Sequence, residues 1–217
     1  MQLQVAPSLL SADFLNLSKD IEMLNANADL IHLDIMDGSF VPNISFGFPV
    51  IEAVAKMAKI PLDAHFMVVR PEDWVENCAR IGVSSMSFHL EAAGRRSKEI
   101  LRSIRAKGMK AGLVINPDVP VEKLWRYCGE ADFFLIMSVF AGFGGQKFIY
   151  ESLDKVYSLK KHLLEAGCNT LIEVDGGVNE GNAAALAEAG ADILVAGSAV
   201  FKSDNPAAVI SALRNPL

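Results

Sequence analysis

Short apolar runs alternate along the whole chain with longer stretches in which apolar positions recur every three or four residues. The short runs read as strands over 4–9, 29–36, 61–67, 83–89, 110–115, 132–138, 170–175 and 192–196, and the stretches between them as amphipathic helices. Asp13 and Ser18 are placed to cap the first helix, Pro71-Glu72-Asp73 to open another, and Asn179-Glu180 to open the one after the seventh strand. Strands that each lead into a helix must pair in parallel, because a parallel return needs a crossover. Eight such units predict an α/β fold, a (β/α)8 TIM barrel. A weak internal repeat supports the count: Ala28-Asp29, Ala131-Asp132 and Ala191-Asp192 each precede a buried run at a helix-to-strand turn. An open doubly wound sheet shares this alternation. Its GxGxxG turn is absent, since the first strand is followed by Ser8-Leu9-Leu10-Ser11-Ala12-Asp13. No linker or low-complexity tract breaks the chain, so 1–217 reads as one domain.

Composition narrows the function. A net charge of −6 offers no general attraction to nucleic acid, so any anionic ligand must be held by local geometry. Cys78, Cys128 and Cys168 are odd in number and lack CxxC spacing, as expected of free thiols in a reducing compartment. The stretch Met1 to Pro7 has neither a basic nor an apolar signal segment, and no apolar run is long enough to cross a membrane. The expected location is the cytoplasm, with no membrane partner.

Several strands carry polar residues where a core should be apolar. His32, Asp34 and Met36 share one face of the second strand, Asp63, His65 and Met67 one face of the third, and Glu173 and Asp175 one face of the seventh. Burying such a group without a partner costs about 2–7 kcal/mol. A lone buried histidine is ordinarily a hydrogen-bonded core residue. Several imidazoles and carboxylates at matching strand ends point instead to a site at the C-terminal mouth of the barrel, where two of each could bind one divalent cation. Mixed nitrogen and oxygen ligation suits Zn2+, with Fe2+, Mn2+ and Co2+ compatible. His89, ending the fourth strand, either braces this site or packs beside it, and His162 lies in a charged helical stretch expected to face solvent. Met36, Met67 and Met137 end their strands at a shared level and would form a polarisable wall.

Three glycine turns follow the sixth, seventh and eighth strands: Gly142-Phe143-Gly144-Gly145-Gln146, Gly176-Gly177 and Gly197-Ser198. Such turns bring backbone N–H groups close to an anion without a lysine or arginine cluster. The last two fall where phosphate-binding barrels seat their phosphate, and a short helix is expected after Gly197. The segment from Phe140 to Phe148 could close over a substrate.

Read together, Ala6-Pro7-Ser8-Leu9-Leu10-Ser11-Ala12-Asp13-Phe14, Ile31-His32-Leu33-Asp34-Ile35-Met36-Asp37-Gly38, Phe40-Val41-Pro42-Asn43, the Gly142–Gln146 turn and Glu173-Val174-Asp175-Gly176-Gly177-Val178 resemble the ribulose-phosphate 3-epimerase family over nearly the whole chain. The resemblance implies metal ligands His32, Asp34, His65 and Asp175, an acid–base pair of Asp34 and Asp175, and substrate contacts from Ser8, His65 and the late turns (Gly142 to Gly145, Gly176, Gly177, Gly197, Ser198). It also implies a small ketose phosphate as substrate and a homo-oligomer of unspecified size. Phe140-Ala141 stands where many members have Asn-Pro, Ser39 where His is frequent, and Phe66 where an aliphatic residue is frequent. These departures are expected near the lid and mouth, where they bear on sugar length.

The implied reaction inverts carbon 3 of a 2-ketose. A proton beside the carbonyl leaves to one carboxylate and returns from another on the opposite face, while a cation near the oxygens of carbons 2 and 3 balances the enediolate charge. Glu173 and Asp63 would orient the ligands from behind. D-ribulose 5-phosphate and D-xylulose 5-phosphate are the leading substrates, and Ser198 with Gly176-Gly177 leans that way. A hexulose 6-phosphate such as D-allulose 6-phosphate is the alternative. A decarboxylase on a related barrel would carry Asp-x-Lys-x-x-Asp where this chain has His32-Leu33-Asp34-Ile35-Met36-Asp37, without the lysine. A non-catalytic sugar-phosphate sensor would lack a ligand or a carboxylate, and both are present.

Overall fold

The computed structural model describes residues 3–216; Met1 and Gln2, part of the stretch read above for a signal segment, and Leu217 lie outside the described residues. Eight parallel strands, β1 (Gln4–Pro7), β2 (Ile31–Met36), β3 (Leu62–Met67), β4 (Ser85–His89), β5 (Lys110–Ile115), β6 (Phe133–Met137), β7 (Leu171–Asp175) and β8 (Ile193–Ala196), pair in the order β1-β8-β7-β6-β5-β4-β3-β2. The two ends of this row meet through a parallel bridge between Ser8 and His32, and Asp29 and Leu30 donate their N–H groups to the Val5 carbonyl. The sheet therefore curls into a barrel. Around it lie α1 (Leu17–Asn27), α2 (Phe48–Met57), α3 (Val75–Ile81), α4 (Leu90–Ala93), α5 (Ser97–Ala106), α6 (Ser152–Glu165), α7 (Glu180–Ala189), α8 (Ser198–Phe201) and α9 (Pro206–Arg214).

Local chemistry sets the element ends, with some departures from the sequence reading. β1 stops at Pro7 rather than running on to residue 9, because Leu9–Ser11 winds into a 3-10 turn whose Leu10 N–H donates to Ser8 Oγ at 3.2 Å. Ser18 does not cap α1, which starts behind Asn16; Asp13 instead organises the preceding turn, accepting from Leu15 N and Asn16 Nδ2. Pro71 opens a 3-10 turn (Pro71–Trp74) that runs into α3. Asn179 caps α7 in a reciprocal box with Asn182. After β5 the expected helix is a 3-10 segment, Val121–Tyr127, which follows Pro117 and Pro120.

The three repeated aspartates share one device. Asp29, Asp132 and Asp192 each donate a backbone N–H to the carbonyl of Val5, Ala111 and Ile172, and their carboxylates accept that same residue's N–H at 2.8, 2.8 and 2.9 Å. Each clamps the start of one strand to its neighbour at the bottom of the barrel. Asp192 also holds Lys160 Nζ at 3.0 Å. Asp192→Ala is expected to cost about 1.5–3 kcal/mol, the range for a hydrogen bond to a charged group, read as a fall of several degrees in the melting temperature with the opposite end of the barrel unchanged.

The main core lies between the strands and the helices, where Leu33, Phe66, Phe88, Phe134 and Val174 are fully buried. Phe66 sits in this layer and not at the mouth, a correction to the expectation above, because its position on β3 alternates with the inward Asp63 and His65. Inside the barrel the apolar residues form only small groups, such as Met36 with Met67 and Val41, and Met137 with Leu135 and Val114. The rest of the interior is polar. That contrast locates the site.

Candidate active site

Period-two alternation sends Ile31, Leu33 and Ile35 of β2 to the helices and turns His32, Asp34 and Met36 inward. Pairing with β3 sets Asp34 opposite His65 and Met36 opposite Met67. Asp34 is the hub: its Oδ2 accepts from Ser8 Oγ at 2.5 Å, and its Oδ1 lies 3.2 Å from His65 Nδ1 and 3.5 Å from His32 Nε2. Asp175, at the end of β7, brings Oδ2 to 3.9 Å from His65 Nδ1. Donor atoms of His32, Asp34, His65 and Asp175 all lie within 4.8 Å of one another.

Each imidazole is braced from behind. His32 Nδ1 is 2.6 Å from Asp63 Oδ2 and 3.6 Å from Glu173 Oε1, while Asp63 Oδ1 accepts from Ser85 Oγ at 2.5 Å. His65 Nε2 is 2.9 Å from His89 Nε2. His32 Nε2 is fully buried and makes no hydrogen bond. A buried polar atom left so, aimed at two carboxylates and a second imidazole, fits a cation ligand. The group could hold one divalent metal ion.

The charges are unevenly set. Burial pushes the Asp175 carboxyl up to about 7, reinforced by Asp34 and Asp63. Glu173 is pushed up to about 8 by burial and by Asp63. Burial also opposes ionisation of Asp34, but His32 and His65 outweigh it and hold Asp34 below the usual carboxylate range. For His32, burial is overcome by Asp34, Asp63 and Glu173, so its affinity for a proton is well above the ordinary value. His65 is pulled down to about 4, chiefly by burial.

Above this floor opens a cleft whose empty space, its open mouth included, is about 530 Å3. Its walls include Ser8, Asp34, Met36, Met67, Met137, Asp175, the turn Gly142 to Gln146, Gly176, Gly177, Gly197 and Ser198. Gly176 has φ +121°, and a Cβ there would meet Val139 Cγ2 at 2.5 Å. A Cβ on Gly197 would meet Ser11 Oγ at 2.6 Å. At Gly176 the backbone and side chain of Val139 leave no room for a Cβ, so bare backbone faces the cavity there, while at Gly197 the Ser11 hydroxyl would have to turn aside. The loop above is tied by Gln146, whose Nε2 donates to the carbonyls of Phe140 and Phe143 at 2.7 and 2.8 Å, and by Asn43 Nδ2, which donates to Gly142 O at 2.9 Å.

Comparison with known proteins decides the family. Residues 4–201 match the model of the ribulose-phosphate 3 epimerase family. The chain belongs to that family. It is similar to the ribulose-phosphate 3-epimerase of Bacillus subtilis, at 43% identity over 98% of each chain. The cytoplasmic isoform of ribulose-phosphate 3-epimerase from Oryza sativa subsp. japonica is 43% identical over 97% of this chain and 92% of its own length. Among solved structures, a mutant tryptophan synthase α-subunit from Pyrococcus furiosus superposes with a TM-score of 0.71 at 17% identity, over 100% of this chain and 97% of that one, which shows the shared barrel. As a member of the epimerase family the chain is an isomerase, and among its described residues no helix is long and apolar enough to cross a membrane.

Of the inward strand residues singled out from sequence, His32 and His65 lie in the floor of the mouth and Asp34, Asp175, Met36, Met67 and Met137 line the cavity, whereas Asp63 and Glu173 lie below it, behind His32. His162 is half-buried under Trp125 (ring centroids 4.3 Å apart) and not simply solvent-facing, because the indole covers it. Sequence reading missed Ser11, Val139 and Val195 on the cavity wall, and Ser85, Glu91 and Asn116 behind the ligands. Ser85-Met86-Ser87-Phe88-His89 carries the same period-two polar signal as β2 and β3. Asn116 follows an apolar strand directly, as Ser138 does. The wall residues gave no such signal.

Proposed function

We propose that this epimerase interconverts D-ribulose 5-phosphate and D-xylulose 5-phosphate, with residues 1–217 acting as one catalytic domain in the cytoplasm. One observation carries the reading: two carboxylates from strands on different sides of the mouth, Asp34 and Asp175, close on the same point beside two imidazoles, and their proton affinities are pushed apart. Such an opposed pair can take a proton on one face and return one on the other. Asp34, held charged, accepts the proton from carbon 3 on one face. Asp175 delivers a proton to the other face, and the roles exchange in the reverse direction. A single base would return the proton to the face it came from.

His32 through Nε2, His65 through Nδ1, Asp34 and Asp175 would hold one divalent cation, Zn2+ or a similar ion, whose chemistry when bound is to act as a Lewis acid towards neighbouring oxygens. Asp63 and Glu173 orient His32 from behind. Ser8 steers Asp34 through their short hydrogen bond. Met36, Met67 and Met137 form an apolar wall that keeps water from the reacting carbon. The backbone of Gly176, Gly177, Gly197 and Ser198 receives the phosphate, with Gly142, Phe143, Gly144 and Gly145 covering it. None of the residues lining this cavity is a lysine or arginine, so phosphate affinity rests on peptide N–H groups.

Phe140-Ala141, on the loop over the cavity, favours keeping a hexulose 6-phosphate as a second reading. A coupled assay with D-ribulose 5-phosphate and D-allulose 6-phosphate separates them. The pentulose phosphate is expected to give the higher kcat/KM, by about tenfold or more, the discrimination a shaped pocket gives for one carbon unit. A preference for the hexulose would overturn the substrate assignment and leave the reaction class in place.

A further inference from the structure

We infer that His89 is a positioning residue that fixes which nitrogen of His65 faces the cation. The inference rests on the assignment of His65 as a ligand made above. His32 and His65 present opposite nitrogens to the site: His32 offers Nε2 and is braced at Nδ1 by a carboxylate, while His65 offers Nδ1 and is braced at Nε2 by a second imidazole. A neutral imidazole carries one proton, so a ring that gives Nδ1 to a metal must hold its proton on Nε2. Among the described residues, His89 Nε2 at 2.9 Å is the only hydrogen-bond partner of His65 Nε2. His89 must then accept with Nε2 and carry its own proton on Nδ1. That nitrogen lies 3.6 Å from Glu91 Oε1, which would accept its proton, and 3.4 Å from Asn116 Nδ2, a donor whose shorter bond goes to Glu91 at 2.9 Å.

His89 is held for this task. It is fully buried, with the Phe40 ring on one side (centroids 4.8 Å apart) and the His65 ring on the other (5.1 Å apart). Glu91 Oε1 is fixed by Asn116, which donates both its backbone N–H and its Nδ2 to that oxygen at 2.9 Å. Asn116 Oδ1 in turn accepts from Ala141 N at 3.1 Å, which sets the direction of the amide. Lys155 Nζ ties down the turn behind by donating to the carbonyls of Pro117 and Val119 at 2.5 and 2.6 Å. With a rotated His89, or none, Nε2 of His65 would lie in a dry interior with no acceptor, and the ring would lose its preference for offering Nδ1.

The test combines metal titration with ring-nitrogen NMR on the full chain, using Zn2+ as the probe. Wild-type protein loaded with Zn2+ should show His65 with a metal-bound Nδ1 and a protonated Nε2, and His89 with its proton on Nδ1. His89→Leu should weaken Zn2+ affinity by about 10–100-fold, the usual effect of losing a ligand's orienting partner. His89→Gln, whose amide oxygen can accept from Nε2, should recover most of that loss. Wild-type affinity and an unchanged His65 tautomer in His89→Leu would overturn the inference while leaving the ligand assignment standing. Wild-type protein that takes up no divalent cation would overturn both. If His89→Leu does not fold, the wild-type spectrum decides alone: a proton on His65 Nδ1 in the loaded protein contradicts the proposal.

Discussion

Asp175→Asn is expected to lower kcat for epimerisation by about 10³-fold or more while the protein stays folded. Loss of a general acid–base group alone removes about 10²–10⁴-fold, and the same change takes one negative charge from the cation site. The fold should survive because burial and the neighbouring Asp34 already disfavour the Asp175 charge, raising its carboxyl to about 7. An amide of the same shape removes that repulsion. The metal-free variant is therefore expected to melt at or above the wild-type temperature by calorimetry. Asp34→Asn should be equally inactive but less stable, since Asp34 is the charge that faces two imidazoles and accepts the Ser8 hydroxyl. The two variants thus separate by stability although they agree in activity. Turnover near wild type in either would contradict the roles given to these carboxylates.

Removing the cation with a chelator is expected to abolish turnover, and adding Zn2+, Mn2+ or Co2+ to restore it. The metal-free protein should also respond to pH in a particular direction. Asp175 titrates at about 7, Glu173 at about 8, and His32 well above its ordinary value, so between about pH 6.5 and 8.5 the folded form holds protons that the unfolded chain has released. Stability then falls as pH rises, because the folded state binds more protons. His65, pulled down to about 4, is neutral in both states across this window and contributes nothing there. Each proton so held makes stability fall by up to about 1.4 kcal/mol per pH unit. Melting curves of chelated protein should shift down by several degrees across the window. Bound cation, which replaces those protons, should flatten the profile. A metal-free protein that grows more stable towards pH 8.5 would contradict this arrangement of charges.

The parts of the molecule that sequence made legible are those in which one side chain conflicts with its surroundings. His32, Asp34, Asp63, His65, Glu173 and Asp175 stand out because a strand that alternates towards a core has no ordinary use for them. The repeated aspartates at 29, 132 and 192 stand out by position, and their reciprocal clamps give the repeat a physical cause. Strand positions were legible because short runs, apolar throughout or at alternate positions, stand between longer helical stretches. Less was legible where backbone geometry decides. The 3-10 turn that ends β1 at Pro7 depends on Ser8 capping Leu10, and the segment Val121–Tyr127 departs from the helix expected after β5. Phe66 was misplaced because a departure from a family pattern says nothing about which side of a strand it occupies; alternation with Asp63 and His65 does. The bracing chain through His89, Glu91 and Asn116 could not be read from spacing, since it joins the end of β4 to the turn after β5, residues far apart in sequence that only strand pairing brings together.

The central claim is that two opposed carboxyl groups exchange the carbon 3 hydrogen with solvent across the two faces of the sugar. It is tested by running the metal-loaded enzyme on D-ribulose 5-phosphate in D2O and following carbon 3 by NMR during the first turnovers. The account predicts that each molecule of D-xylulose 5-phosphate formed carries deuterium at carbon 3, while unreacted substrate stays largely protiated. Product that retains the substrate's own hydrogen at carbon 3, or that takes up deuterium at a different carbon, would contradict it.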